Sequence, residues 1–449
     1  MKVLWLCNIM LPAYAKEKNI AYSNREGWLS GCFDKIVEEN KKKEESNLQK
    51  EVDLVVCFPV SAKMGSFSDD IMGVKFYGFV EDLNTPENYK ENLEDVFRDI
   101  LDKEKPDMVH IFGTEFPHAL AMARAFNNPS KVLLGIQGAC KVIADEYMAM
   151  LPPLVQKDRS FRDILKKDSL LEQKEKYEKR AINEEEAIKL SGHIAGRTNF
   201  DRNFALTINP KAKYHVLNET MRDSFYDGRW TKEGANTHTI FMSQGDYPLK
   251  GFHFMLSAMP IILEKYPDAH LYVAGNSLIG AIDRSYVSSF EDGDNKVKAG
   301  RVPLFIKISA YGRYLKLLIA KNKLKERVTM LGPLSEKQMK EQFLKASVYV
   351  CPSVVENSPN SVCEAMLLGT PVVASRVCGI PSIIDDGKEG VLFEKGDEKE
   401  LANAIMQVWE EKVITDIYSE NARKRAEKVH DKNLNFARLL QIYHAIAGC

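Results

Sequence analysis

A chain of 449 residues is too long for one ordinary hydrophobic core, so two domains are the natural count. Its 62 basic and 63 acidic residues leave a net charge of −1, which excludes the basic footprint of a nucleic-acid binder. With 45% hydrophobic and 28% charged residues, the composition is that of a globular protein.

The eight cysteines (7, 32, 57, 140, 351, 363, 378 and 449) are scattered and include no C-x-x-C. Such usage fits free thiols in a reducing compartment rather than a disulfide framework or a zinc site. At the start, Lys2 and the run VLWLCNIMLPAYA imitate a secretory signal, with Ala13-Tyr14-Ala15 as the cleavage pattern. Asn8 and Pro12 interrupt that run, so Lys2–Cys7 reads as a first strand. No stretch approaches the length of a membrane span. A cytoplasmic protein is expected.

The first half alternates strands with helices. Strands are expected at Val3–Cys7, Val52–Phe58, Val74–Phe79, Met108–Phe112, Val132–Ile136, His193–Arg197 and Tyr214–Leu217. Helices are expected at Trp28–Asn40, Asn92–Lys103 and His118–Phe126. This rhythm predicts a parallel sheet covered on both faces, with ligands at the carboxyl ends of its strands. Three loops lie on that edge: the long one leading to Gly27-Trp28, Gly113–His118 after the fourth strand, and Gln137-Gly138 after the fifth. By residue type alone, His118 reads as a helix cap or a core histidine.

Between Gln156 and Arg180, Arg159, Arg162, Lys166, Lys167, Lys174, Lys176, Lys179 and Arg180 alternate with Phe161, Ile164, Leu165, Leu170 and Leu171. The pattern is a basic amphipathic helix. Either its apolar stripe faces the core, or the segment meets a membrane surface or an acceptor. The polar stretch Asp223–Asn236, with Gly228 and Gly234, reads as a linker.

The rhythm then restarts, with strands expected at Thr239–Ser243, His270–Ala274, Val328–Leu331, Val348–Cys351, Val372–Ser375 and Gly390–Phe393. Phe252–Lys265 reads as a helix kinked at Pro260. Asn276–Lys323 is the least legible part, with an apolar helix near Tyr311–Ala320. Its Asp292-Gly293-Asp294 reads as a turn, not a metal site. Helices Asp397–Glu411 and Ile417–Ala447 close the chain.

The most informative stretch is Ser347–Gly369. A strand, Val348–Cys351, ends at Pro352-Ser353. A helix then starts with Ser358 as its cap and Pro359 in its first position, and Gly369 closes it. Glu356 precedes the helix start and Glu364 follows it. A helix N-terminus between two carboxylates suits a sugar nucleotide: unpaired N–H groups meet the diphosphate, and the carboxylates accept from hydroxyls.

Glu-Asn-Ser-Pro-Asn-Ser-Val-Cys-Glu-Ala-Met-Leu-Leu-Gly-Thr-Pro-Val-Val-Ala-Ser (residues 356–375) resembles the donor signature of the family 4 (group 1) retaining glycosyltransferases. The resemblance implies an α/β fold of the GT-B type, with two Rossmann-like, doubly wound parallel-sheet domains facing across a cleft. Residues 1–222 would be the acceptor-side domain, 223–236 the linker and 237–425 the nucleotide-sugar domain, with 426–449 a helix returning to the first. Ser243–Gly251 is similar to the family's G-R-(x)5-K-G segment, whose arginine and lysine clamp a diphosphate. Lys250 and Gly251 match, while Gln244 stands at the arginine position. Lys307, Arg313 and Arg301 are candidate replacement cations.

The resemblance also implies that the loop after the third strand of the second domain, at Leu334, contacts the base. Gly27 would allow close backbone approach, and His118 would lie beside the transferred sugar. Val377–Pro381 resembles a V-G-G-I-P turn with Cys378 in place of a glycine. The implied catalytic set is Lys250, Glu356 and His118. The implied donor-binding set is Gly27, Gln244, Leu334, Ser358, Pro359, Asn360, Ser361 and Glu364.

The resulting expectation is a retaining, metal-independent hexosyltransferase with no cofactor beyond a nucleotide-sugar co-substrate, taken as UDP-linked. The acceptor would be a saccharide or lipid-linked hydroxyl in surface polysaccharide or glycolipid synthesis, with peripheral membrane contact through 156–180 and no nucleic-acid partner. The alternatives are a non-catalytic sugar-nucleotide-binding subunit and a sugar-nucleotide epimerase or phosphorylase. No G-x-G-x-x-G follows a strand, which disfavours a dehydrogenase.

Overall fold

A computed structural model describes residues 1–20, 27–276, 278–279 and 308–448. Asp292–Asp294, Arg301 and Lys307 lie outside the described residues. The chain divides into two compact units. Unit 1 comprises Met1–Ala144, Lys176–Asp223 and Glu427–Cys449; unit 2 comprises Asp145–Glu175 and Ser224–Ala426. Residues 145–175 therefore pack with the second sheet, although their place in the sequence put them with the first.

Unit 1 holds strands β1 (Lys2–Leu6), β2 (Asp53–Val60), β3 (Phe67–Ile71), β4 (Val74–Val80), β5 (Met108–Phe112), β6 (Val132–Gly135), β7 (His193–Gly196) and β8 (Lys213–Val216). They form one sheet in the order β3-β4-β2-β1-β5-β6-β7-β8. Every pairing is parallel except β3 with β4. The alternation of side chains along β1 shows why its sequence is a continuous apolar run. Leu4 and Leu6 enter one core, and Val3, Trp5 and Cys7 enter the other. The period of two buries both faces.

β3 was not anticipated. Its FSDDI sequence has little apolar periodicity, and it runs along the sheet's edge with Asp70 exposed, as edge strands do. A two-residue turn at Met72-Gly73, both at positive φ, joins it to β4. The final helix, Lys432–Ala447, belongs to unit 1: Leu439, Ile442, Tyr443 and Ile446 are buried with Val3, Trp5 and Phe33. The Tyr443 hydroxyl accepts from Trp5 Nε1 at 2.7 Å and meets His110 Nδ1 at 2.7 Å. The helix expected over Ile417–Ala447 is broken before this point, because Asp431 caps a new start with bonds from Asn433 and Leu434 N–H groups.

Unit 2 holds β9 (Thr239–Met242), β10 (His270–Ala274), β11 (Val328–Gly332), β12 (Val348–Cys351), β13 (Val372–Ser375) and β14 (Val391–Phe393). Their order is β11-β10-β9-β12-β13-β14, all parallel. Order reverses at β9, between β10 and β12. A doubly wound sheet binds ligands at such a switch point, beyond the strands' carboxyl ends.

The basic stretch 156–180 is not one helix. It contains parts of three, Pro153–Lys157, Phe161–Lys166 and Leu170–Lys189. The breaks are capping events: Ser160 with Asp163 and Ser169 with Glu172 make reciprocal side-chain-to-backbone bonds.

Candidate active site

In unit 2, three loops meet where β9 and β12 end. The loop after β9 turns through Pro248–Lys250 and Gly251, whose φ is +69°. A Cβ at Gly251 would collide with the Pro352 carbonyl oxygen, so only glycine permits this approach. The packing is reinforced by Val354 N–H donating to Leu249 O at 2.7 Å. It brings the Lys250 ammonium onto Glu356 Oε1. Ser353 Oγ donates to the same oxygen at 2.8 Å. The two charged side chains are 18% and 11% exposed, so water weakens their attraction little. Burial works against the lysine's charge, but the Glu356 carboxylate outweighs it and holds Lys250 well above the usual lysine range.

Past Glu356 the Asn360–Leu368 helix begins, and no side chain caps it. The helix starts one residue later than the sequence suggested. Pro359 holds an extended cap conformation, φ −69° and ψ 117°, and Ser358 lies before it. Gly369 closes the helix at φ +76°. Glu364 is inside the helix and 5% exposed. The structure therefore brings Lys250, Glu356 and Ser358–Ser361 to one loop junction, with Glu364 in the helix beyond.

Tyr349 was not singled out from the sequence. It is buried, and its hydroxyl lies 2.9 Å from Ser243 Oγ and donates to Ser361 Oγ at 2.7 Å. One phenol thus joins the loop after β9 to the first turn of the Asn360–Leu368 helix. Gln244 is half-buried beside it. Leu334, also half-buried, follows Gly332 at the end of β11. The turn after β13 supports Glu356 from behind: Gly379 N–H donates to Glu356 O at 3.0 Å. Cys378 in that turn has φ +44°. The backbone is left-handed there, so the cysteine is held in a strained conformation. Arg313, a candidate cation, pairs with Asp158 at 2.7 Å.

In unit 1, the corresponding edge carries Asn8 after β1, Glu81 after β4 and the Gly113–His118 loop after β5. His118 is fully buried. Its Nδ1 lies 2.6 Å from Glu81 Oε2 and its Nε2 lies 3.0 Å from Asn8 Oδ1. Asn8 Nδ2 in turn donates to Glu115 Oε2 at 3.4 Å. A Cβ at Gly113, whose φ is +96°, would strike both the Asn8 amide and the Glu115 carboxylate. Arg180 Nε donates to the Glu115 carbonyl at 2.7 Å, its guanidinium lying over Phe116 and Tyr177.

Below that loop, Glu184 is fully buried. It accepts from Thr114 Oγ1 at 2.6 Å and from Lys141 N–H at 3.4 Å. Burial, reinforced by the nearby Glu115 and opposed by the Thr114 bond, pushes its pKa up to about 8. Gly27 opens the Gly27–Glu45 helix of the same unit. Among the described residues no group of three or more His, Cys, Asp or Glu side chains is arranged to hold a metal ion.

Residues 230–427 match the family model described as glycosyl transferases group 1. A phosphatidyl-myo-inositol mannosyltransferase of Mycobacterium leprae is 24% identical over 209 residues, 46% of either chain. The Arabidopsis thaliana sulfoquinovosyl transferase SQD2 is 34% identical over 100 residues, 22% of this chain and 20% of that one. The chain spans about half or less of the length of these relatives. Among solved structures, a sucrose-phosphate synthase from Thermosynechococcus elongatus superposes with a TM-score of 0.64 at 14% identity, covering 99% of this chain and 98% of that one. Anabaena HepE in complex with UDP and glucose gives 0.60 at 15% identity, covering 98% and 99%. At such identities the likeness establishes the fold, which is GT-B.

Proposed function

Residues 230–427 match the glycosyl transferases group 1 model, and from that match we propose that the protein moves a sugar from a UDP-linked donor to an acceptor hydroxyl with retention of configuration. The observation that carries this reading is the meeting of Lys250 and Glu356 beside the uncapped start of the Asn360–Leu368 helix. The cation and the start of a helix that no side chain caps suit a diphosphate, and the two glutamates suit ribose and sugar hydroxyls. The UDP complex of the HepE neighbour supports the choice of nucleotide.

On this reading the arriving diphosphate draws Lys250 away from Glu356, and Glu356 turns to a donor hydroxyl. The bond from the anomeric carbon to the diphosphate breaks, and the acceptor oxygen bonds to the same face of that carbon. The acceptor's proton passes to the departing phosphate oxygen. The protein contributes position and charge, and no metal takes part. Gln244 donates a hydrogen bond without charge, which leaves Lys250 as the principal cation. Leu334 sits with the base, and Ser358–Ser361 with the diphosphate.

In unit 1, Asn8 and Glu115 receive hydroxyls. His118, with both ring nitrogens taken, acts through Asn8 as a positioning residue. The name of the Mycobacterium leprae relative, a phosphatidyl-myo-inositol mannosyltransferase, supports a lipid-linked acceptor. A second reading, a sugar-nucleotide-binding subunit without turnover, is favoured by Gln244 at the arginine position.

The test incubates the protein with UDP-, GDP- and ADP-sugars and a panel of lipid and saccharide acceptors, with and without EDTA, and follows nucleotide release and the product's anomeric signal by NMR. Chelator-resistant UDP release with a retained anomer is expected. An inverted product overturns the mechanism, and binding without release favours the second reading.

A further inference from the structure

The short helix Phe161–Lys166 is folded inside out. Its buried side chain is a carboxylate: Asp163 is 1% exposed, caps its own helix at Ser160, and accepts from the Ala310 N–H at 2.7 Å. The polar anchor fixes the helix on the start of the Ala310–Lys321 helix and turns its apolar side to solvent. Phe161, Ile164 and Leu165 are 58%, 61% and 64% exposed. On either side of the same junction, Leu154 is 86% and Leu317 61% exposed, and both line a groove with Lys157, Arg313 and Tyr314. Scattered apolar residues need no explanation, but five from three neighbouring helices form a surface that solvent disfavours.

Charge decides what covers it. The chain as a whole is balanced. On this face Asp158 pairs with Arg313, and Asp163 and Asp168 with Arg162, while Glu398 lies near Tyr314. Lys157, Arg159, Lys166 and Lys167 are exposed around the apolar residues. We propose that this face of unit 2 docks on an anionic lipid bilayer, with the leucines, Ile164 and Phe161 entering the headgroup boundary and the four cations meeting lipid phosphates. Apolar insertion and attraction to anionic headgroups are the two terms that hold such a surface at a membrane. The docking face ends near Lys167, because Arg180, further along, is spent on Glu115 and two aromatic rings inside unit 1. The inference stands whether or not the chain transfers sugar.

Co-sedimentation of the full chain with vesicles tests it, using phosphatidylcholine alone and phosphatidylcholine with 30% (about one lipid in three) phosphatidylglycerol. Binding to the anionic vesicles is expected, and much weaker binding to the neutral ones. Each basic residue contributes about fivefold, so Lys157→Glu, Arg159→Glu, Lys166→Glu and Lys167→Glu together should abolish it. Phe161→Ser, Ile164→Ser and Leu165→Ser together should weaken it at least roughly tenfold. Because these side chains are exposed, both variants should keep the wild-type Tm, which separates lost docking from misfolding. Wild-type protein that stays in the supernatant overturns the proposal, as does a serine variant that binds as well as wild type. Dimerisation in sedimentation velocity that the serine variant abolishes, without vesicle binding, would assign the face to a second copy instead.

Discussion

At the carboxyl edge of the second sheet, a lysine and a carboxylate meet beside a helix start. At the same edge of the first sheet, Glu81, His118, Asn8 and Glu115 close on one another, and Glu184 sits buried beneath them. Both edges end parallel strands, yet their electrostatics differ. One sets a lysine, paired with Glu356, beside the start of a helix that no side chain caps, a combination that favours negative charge. The other is acid-rich and largely self-satisfied, which suits neutral hydroxyls and repels a second phosphate.

The largest expected effect separates the two edges. On the proposed reading, Lys250→Ala removes the principal charge on the leaving group and should lower turnover by two or more orders of magnitude. Single-turnover kinetics would measure it. Next is Gly251→Ala. The new methyl meets the Pro352 carbonyl at positive φ, so a loss of roughly 2–4 kcal/mol of stability is expected in denaturant titration.

The first edge is probed by pH. Burial pushes the Glu184 pKa up to about 8, against about 4.3 for a glutamate in the unfolded chain. Between those values the folded state holds the extra proton, so stability should fall as pH rises from about 5 to 8, by a few kcal/mol. Glu184→Gln should flatten that slope, which thermal melts across the range would show. The smallest effect is expected for Tyr349→Phe. It removes the link between Ser243 and Ser361, and donor KM should rise several-fold, in line with about 1 kcal/mol for a hydrogen bond, with kcat changing less.

Much of this architecture was legible. Strands buried on both faces announce themselves as apolar runs, and β5, β10, β12 and β13 have the expected ends. The donor-side loops were legible because their residues are contiguous: Glu356 through Gly369 is one passage of chain. The cluster around His118 was not, since Asn8, Glu81 and Glu115 come from the ends of three different strands. The breaks within 156–180 carried a readable signal, the Ser160–Asp163 and Ser169–Glu172 capping boxes, which the strong alternation of basic and apolar residues obscured. The left-handed backbone at Cys378 was not legible, because a positive φ leaves no mark in the sequence when the residue is not glycine.

The claim on which the rest depends is that Lys250 exchanges Glu356 for a diphosphate. Calorimetric titration with UDP and with its UDP-sugar, on wild type and Glu356→Gln, tests it most directly. Removing the competing carboxylate should tighten UDP, because the lysine no longer leaves a partner. The same change should weaken the UDP-sugar relative to UDP, because a hydroxyl acceptor is lost. If UDP binds Glu356→Gln no better than wild type, Lys250 does not make that exchange, and the assignment of this junction to the diphosphate fails.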